Sequence, residues 1–232
     1  TIFGHLCWAI LRAQGESALS KLLSDYTAGN PFLVVSDALF RGHLPRPTIP
    51  SRLMPTAPQT DRKALKRIRF LSGSVLGQPV NNWLKEGEPT YPKSIMWNQP
   101  HNSINRETNT TGEDGFAPYS SEIICFAPAT ELDIHIVFDD SRIEAELIRK
   151  LFIAIGQRGF GRDSSVGLGK FEVTQVADFP FRDNQSANCY LTLGPSAPQE
   201  QGFCEDRSWY QVFTRFGRHG DEGALSSNPF KN

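Results

Sequence analysis

From Leu132 to Val176 the hydrophobic period of the chain changes twice, and that change restricts the fold more than any other feature. Leu132, Ile134, Ile136 and Phe138 alternate with Asp133, His135 and Val137, the period of a half-buried strand. Ile143, Leu147, Ile148, Leu151, Phe152 and Ile155 then recur at three- and four-residue steps and make one apolar helix face. Between them Ser141-Arg142-Ile143-Glu144 predicts a capping box, with Ser141 accepting from the Glu144 amide. A stretch with five glycines, GQRGFGRDSSVGLGK over residues 156–170, follows the helix. Phe171 to Val176 reads as a second strand. The unit is strand, helix, glycine loop, strand.

The rest of the chain supplies more of both element types. Leu6, Ile10 and Leu11 mark an opening helix, and Leu19, Leu22, Leu23 and Tyr26 a second one closed by Gly29-Asn30-Pro31. Phe32 to Val35 reads as a buried strand. Pro45, Pro47, Pro50, Pro55 and Pro58 hold the next stretch in a surface loop. A short basic helix is expected from about Asp61 to Phe70, and no element is assigned over 71–100. Further strands are expected at about 122–126, 188–193 and 209–216. The class is α+β, with ferredoxin-like units.

Composition narrows the setting. At 39% hydrophobic and 21% charged, the 232-residue chain can bury a core and is not a disordered segment. Cys7, Cys125, Cys189 and Cys204 lie far apart, without zinc-finger spacing, and read as scattered reduced thiols. No apolar run is long enough to span a bilayer and no signal peptide opens the chain, so a soluble cytoplasmic protein with no membrane partner is expected. Net charge is −1, which argues against binding of nucleic acid through overall charge. Its distribution is uneven. Arg41, Arg46, Arg52, Arg62, Lys63, Lys66, Arg67 and Arg69 stand against Asp61 alone, whereas residues 183–232 are acidic. One face suited to phosphate and another to a different partner would give this polarity, as would a merely solvated basic face.

The glycine stretch is not a nucleotide loop. A Walker A motif needs Ser or Thr after Gly-Lys and a helix beginning at the loop, but Gly169-Lys170 is followed by Phe171 and the helix comes first. Gly159-Phe160-Gly161 lacks the third glycine of a dinucleotide fingerprint. Glycines do let a backbone approach a polyanion and expose its amides. Arg158, Arg162 and Lys170 add charge, Ser164 and Ser165 add hydroxyls, and Gly159, Gly161, Gly167 and Gly169 add freedom, a set that suits sugar-phosphate contact. A mobile linker is the alternative. Phe160, flanked by glycines, is a candidate for base stacking.

Five histidines raise the question of acid-base chemistry. His5 and His135 fit packing roles within a helix and a strand. His43 and His101 are expected in loops beside Arg41, Arg46 and Arg106, a setting for RNA contact. No second catalytic group stands at a certifying distance in sequence, so no catalytic residue is assigned. Asp139-Asp140 reads as a strand end rather than a metal site, and neither metal nor cofactor is expected.

GFGRDSSVGLGKFEV resembles the signature glycine-rich loop of the RAMP superfamily of CRISPR-associated proteins. Together with TIFGHLCWAI, NPFLVVSDALFRGHLPRP and QPHNSINRETNTTGEDGFAPY, it is similar to the family of fourth subunits of the Csm complex, the type III-A effector of antiviral defence. The resemblance implies two ferredoxin-like (RRM-like) RAMP units, the first over 1–95 and the second, with a protruding thumb hairpin, over 96–232. It also implies a strand before Thr1 and a segment after Asn232. The glycine loop would hold the 5' handle of a guide RNA. His101, Asn102, Asn105, Arg106, Thr110 and Thr111 would form a thumb against guide and target RNA. The implied partners are the large polymerase-like subunit and the backbone RAMP subunit, which the chain would bridge without being a nuclease. Two alternatives stay open: a RAMP endoribonuclease that processes the guide precursor through His43 or His101, and a docking subunit that does not touch RNA.

Overall fold

Ile2, Leu6 and Ile10 stand four residues apart and are the buried stripe of α1, Ile2–Gln14. Gly15, at φ 86°, ends that helix, and α2 runs Glu16–Leu23. The strands are β1 Leu33–Val35, β2 Leu39–Phe40, β3 His43–Pro45, β4 Phe70–Ser72, β5 Ser94–His101, β6 Tyr119–Phe126, β7 Leu132–Asp133 and β8 Ile136–Phe138, all short except β5 and β6. The α-helix that follows β8, α3, is Ala145–Arg158. This computed structural model describes residues 2–53, 63, 67–79, 82–83, 94–112, 115–161, 163–179, 185–196 and 203–214.

Within those residues the class is α+β, built on small antiparallel sheets. Four two-stranded ladders pair β1 with β8, β2 with β7, β3 with β4 and β5 with β6. The strand expected over 132–138 is divided. Leu33 faces Phe138 in the first ladder and Leu39 faces Asp133 in the second, so Ser36, Asp37 and Ala38 oppose only Ile134 and His135. One extra residue on one side is a bulge. Ser36 closes it: its amide donates to the His135 carbonyl at 2.9 Å, and its Oγ accepts from the His135 amide at 2.9 Å. The strand at Phe32–Val35 is only half buried, with Phe32 fully enclosed and Val34 exposed.

The capping box does not form. The Asp139 carboxylate takes the Ser141 hydroxyl at 2.6 Å and the Ser141 amide at 3.0 Å, a local turn that competes with capping. These bonds hold the Asp139 carboxyl below its usual range. Glu144 stands at the N-cap without a side-chain bond. Arg142 turns away instead and donates to the carbonyls of Leu22 at 2.7 Å and Asn30 at 2.9 Å, which ties α2 and the approach to β1 to the start of α3.

One core joins distant parts of the chain. Ile2, Leu6, Ile10, Phe32 and Leu33 pack with Ile143, Ile148, Leu151, Phe152 and Ile155. The apolar face of α3 is therefore the one read from its period. Phe171 to Val176 does not enter a ladder: only Val173 packs on the core, and the Phe171 amide donates to Gly156. Residues 188–193 are irregular too, touching the sheet where the Leu193 carbonyl accepts from Asp37 at 3.0 Å, and 209–214 are irregular, with 215–216 outside the described residues. Strand propensity in these segments did not guarantee a partner. Conversely β5 arises where no element is expected, because eight cross-strand pairs with β6 supply what Asn98, Gln99 and Pro100 lack in propensity. The basic helix expected over 61–70 lies mostly outside the described residues, and Phe70 itself opens β4.

Phe32→Ala removes a fully enclosed ring and is expected to lower unfolding stability by about 3–5 kcal/mol. Val137→Ala, on a side chain 69% exposed, is expected to change it by no more than about 0.5 kcal/mol. Urea unfolding of both variants checks the pair; equal losses would contradict this core.

Candidate nucleic-acid interface

Gly159 ends α3 at φ 103°, its amide closing on Ile155 O at 2.8 Å. Two limbs of the glycine loop then meet. The Phe160 amide donates to the Gly169 carbonyl at 2.7 Å, and the Phe171 amide to the Gly156 carbonyl at 3.3 Å. The glycines make that approach possible. A Cβ at Gly169 would stand 1.9 Å from the Phe160 carbonyl oxygen, one at Gly159 2.3 Å from that of Leu168, and one at Gly156 2.3 Å from that of Phe171. The loop is thus a closed structure and not a slack linker. At its far end the Asp163 carbonyl accepts from Val166 and Leu168, and Gly167, left-handed at φ 89°, donates to Ser164 at 3.1 Å.

The glycines divide by their surroundings. Gly156, Gly159 and Gly169 serve contact of the chain with itself, whereas Gly161 and Gly167 face open space with positive φ. The exposed rim carries Ser165, Gly167, Gly169 and Lys170, with Arg158 exposed at the end of α3 and Ser164 half-buried. Among the described residues neither Arg158 nor Lys170 is in an ion pair. Arg162 lies outside the described residues. Phe160 does have a neighbour. Its ring centroid is 4.7 Å from that of His5, tilted by 42°, and it keeps 40% of its surface exposed.

His5, on α1, is the loop's partner that sequence reasoning missed. Its Nε2 accepts from the Gly161 amide at 3.1 Å, so the ring is neutral with its proton on Nδ1. Burial, with the Arg12 charge adding to it, pushes the His5 pKa down and favours that neutral state. A histidine one turn into a helix gives no sequence sign of a contact 156 positions away.

The remaining candidates occupy two other places. Arg41, in the turn between β2 and β3, is ion-paired with Glu131 and donates to Gln175 Oε1 at 3.1 Å. Gly42 donates to the Asp133 carboxylate at 2.9 Å, which fixes that turn. His43 lies in β3 rather than in a loop, opposite Ser72, and its Nδ1–H donates to the Arg41 carbonyl at 2.8 Å. The Arg46 amide donates to the Arg69 carbonyl at 2.8 Å and extends the β3–β4 pairing.

His101 is the last residue of β5 and stacks on Tyr119 across the ladder, at 4.9 Å and 14°. Beyond it Asn105 and Thr110 form a bridge, the Asn105 side chain accepts from the Glu107 amide at 2.9 Å, and Asn109 turns the chain at φ 52°. Asn102, Arg106 and Thr111 are exposed around this turn. The β5–β6 hairpin carrying it exposes Ile95, Met96, Trp97, Tyr119, Ile124 and Phe126. His43 and His101 therefore sit in separate ladders, each engaged with its own neighbour. Among the described residues no group of three or more His, Cys, Asp or Glu could hold a metal ion, and no helix is long and apolar enough to cross a membrane.

A family model described as RAMP superfamily matches residues 1–172. No curated protein matches the chain. Among solved structures, the chain is similar to one in a Csm1–Csm4 cassette in complex with AMPPNP, at 19% identity and TM-score 0.40, over 61% of this chain and 54% of that one. It is similar to one in a Csm1–Csm4 cassette in complex with pppApA at 17% identity and TM-score 0.40, over 64% and 58%. The chain thus spans little more than half the length of either.

Gly169→Ala sets a methyl group against the Phe160 carbonyl and is expected to lower stability by about 2–4 kcal/mol. Gly161→Ala meets no atom and is expected to lose only about 1–2 kcal/mol, the left-handed backbone cost. Thermal unfolding ranks the two, and the reverse order would contradict the closed loop. His5 and His135, both lowered from 6.5 chiefly by burial, make stability full above that value. It then falls as the pH drops through the folded-state pKa values, because the unfolded chain takes up protons first. Urea midpoints measured from neutral pH downward should decline; a flat profile would contradict this.

Proposed function

The chain belongs to the RAMP superfamily, and on that footing we propose that it is a non-catalytic RNA-binding subunit of a type III CRISPR effector. Its finer place, by the motifs that resemble the fourth Csm subunit, is to hold the 5' handle of the guide RNA. The observation that carries this reading is the glycine loop: a closed backbone structure whose exposed rim bears Arg158, Ser165 and Lys170, with neither cation ion-paired among the described residues. A rim fixed in shape presents charge and hydroxyls to a sugar-phosphate backbone with little ordering cost on binding. Phe160, partly exposed, offers a face to a base.

The β5–β6 hairpin is the thumb in this reading, with Asn102, Arg106 and Thr111 toward guide and target RNA. The large polymerase-like subunit and the backbone RAMP subunit are its protein partners, as the sequence resemblance implies. Arg41 contributes less to RNA than its charge alone predicts, because Glu131 already compensates it. Catalysis is not assigned. His43 donates to a backbone carbonyl within its own turn and His101 stacks on Tyr119, so each has a structural contact in its own ladder.

Replacing Arg158, Arg162 and Lys170 together by Ala should weaken handle binding and reduce the slope of log K against log salt by about 2, at about 0.7 per single-strand phosphate contact. Unchanged slope and affinity would remove the loop from the interface. Incubation of the unaltered chain with guide precursor, without metal, should leave the RNA intact. Cleavage lost in His43→Ala or His101→Ala would establish the endoribonuclease instead.

A further inference from the structure

A side chain of α1 reaches the closed glycine loop. His5 offers Nε2 to the Gly161 amide at 3.1 Å and lays its ring against Phe160 at 4.7 Å. Gly161 is the point where this matters. It adopts φ 100°, and beyond its chain neighbours no described atom stands within 4 Å of where a Cβ would be. The two limbs are tied by Phe160 to Gly169, but the turn after Phe160 is not held by that bond. His5 holds it from outside the loop. We propose that His5 is a positioning residue that sets the shape in which the glycine loop meets RNA, acting through the Gly161 amide and the Phe160 ring. This rests on the RNA-binding reading of the loop.

The chemistry required is that of a hydrogen-bond acceptor at the Nε2 position together with a side chain that fills the space beside Phe160. Glutamine places an amide oxygen near that position, whereas phenylalanine keeps the ring contact and removes the acceptor. The two variants therefore separate the bond from the packing. In the RNA-free chain, exchange of the Gly161 amide reads the latch directly. The amide should be protected in the unaltered chain and in His5→Gln, and exposed in His5→Phe. Handle RNA affinity should follow: within about twofold of the unaltered chain for His5→Gln and weaker by about fivefold for His5→Phe, the effect of one lost hydrogen bond.

Protection of Gly161 unchanged in His5→Phe would overturn the latch. Exposure of Gly161 with no change in affinity would overturn its role in RNA contact while leaving the RNA-binding reading standing. Equal weakening by both variants, with Gly161 still protected in His5→Gln, would also overturn it, since the acceptor would then be irrelevant. If no form of the chain binds handle RNA, the RNA-binding reading fails, and with it the role of His5 in presenting the loop.

Discussion

α1 and α3 share one core, with Phe32 wholly enclosed in it, and the position of the glycine loop follows from that contact. The loop begins where α3 ends, and His5 lies on α1 between the buried Ile2 and Leu6. Packing the two helices together therefore brings a histidine and a glycine into hydrogen-bond range across most of the chain. Weakening the core would loosen this meeting before it touched any residue of the rim. The same core ties in β1 and, through Arg142, the end of α2, so residues 2–33 and 142–155 act as one packed body.

The loop shows how glycine can serve two ends in one motif. Gly156, Gly159 and Gly169 allow backbone to lie against backbone where any side chain would collide with a carbonyl. That contact stiffens the loop, and in the proposed RNA-binding role a stiff rim suits a polyanion, since ordering has been achieved in folding rather than on binding. In that role the exposed Arg158 and Lys170 side chains supply the charge beside the rim. The hairpin is a different surface. Its tip is held by local bonds among Asn105, Glu107 and Thr110, and its stem exposes aromatic and aliphatic side chains on both strands.

Much of this was legible where the sequence carries a period. The α3 face from Ile143 to Ile155 and the stripe of α1 were readable because a helix makes its own hydrogen bonds, and its buried face needs only a core to meet. Strands were legible only in part, since their bonds depend on a partner. Phe171 to Val176 has the composition of a strand and stands outside every described ladder, while Ser94 to His101 lacks it and pairs along its whole length. The bulge at Ser36 and the capture of Ser141 by Asp139 both turn on a single polar side chain competing with a regular pattern. At the candidate interface the glycine loop was plain in the sequence. His5, 156 positions from Gly161, was not.

The most direct measurement is the affinity of the unaltered chain for a guide RNA with its native 5' handle, against the same RNA with the handle scrambled, each titrated over salt. The RNA-binding account predicts tighter binding to the native handle at every salt concentration, with affinity falling as salt rises. Equal affinity for both, or no binding to either, would contradict it and favour a subunit whose role is to dock proteins.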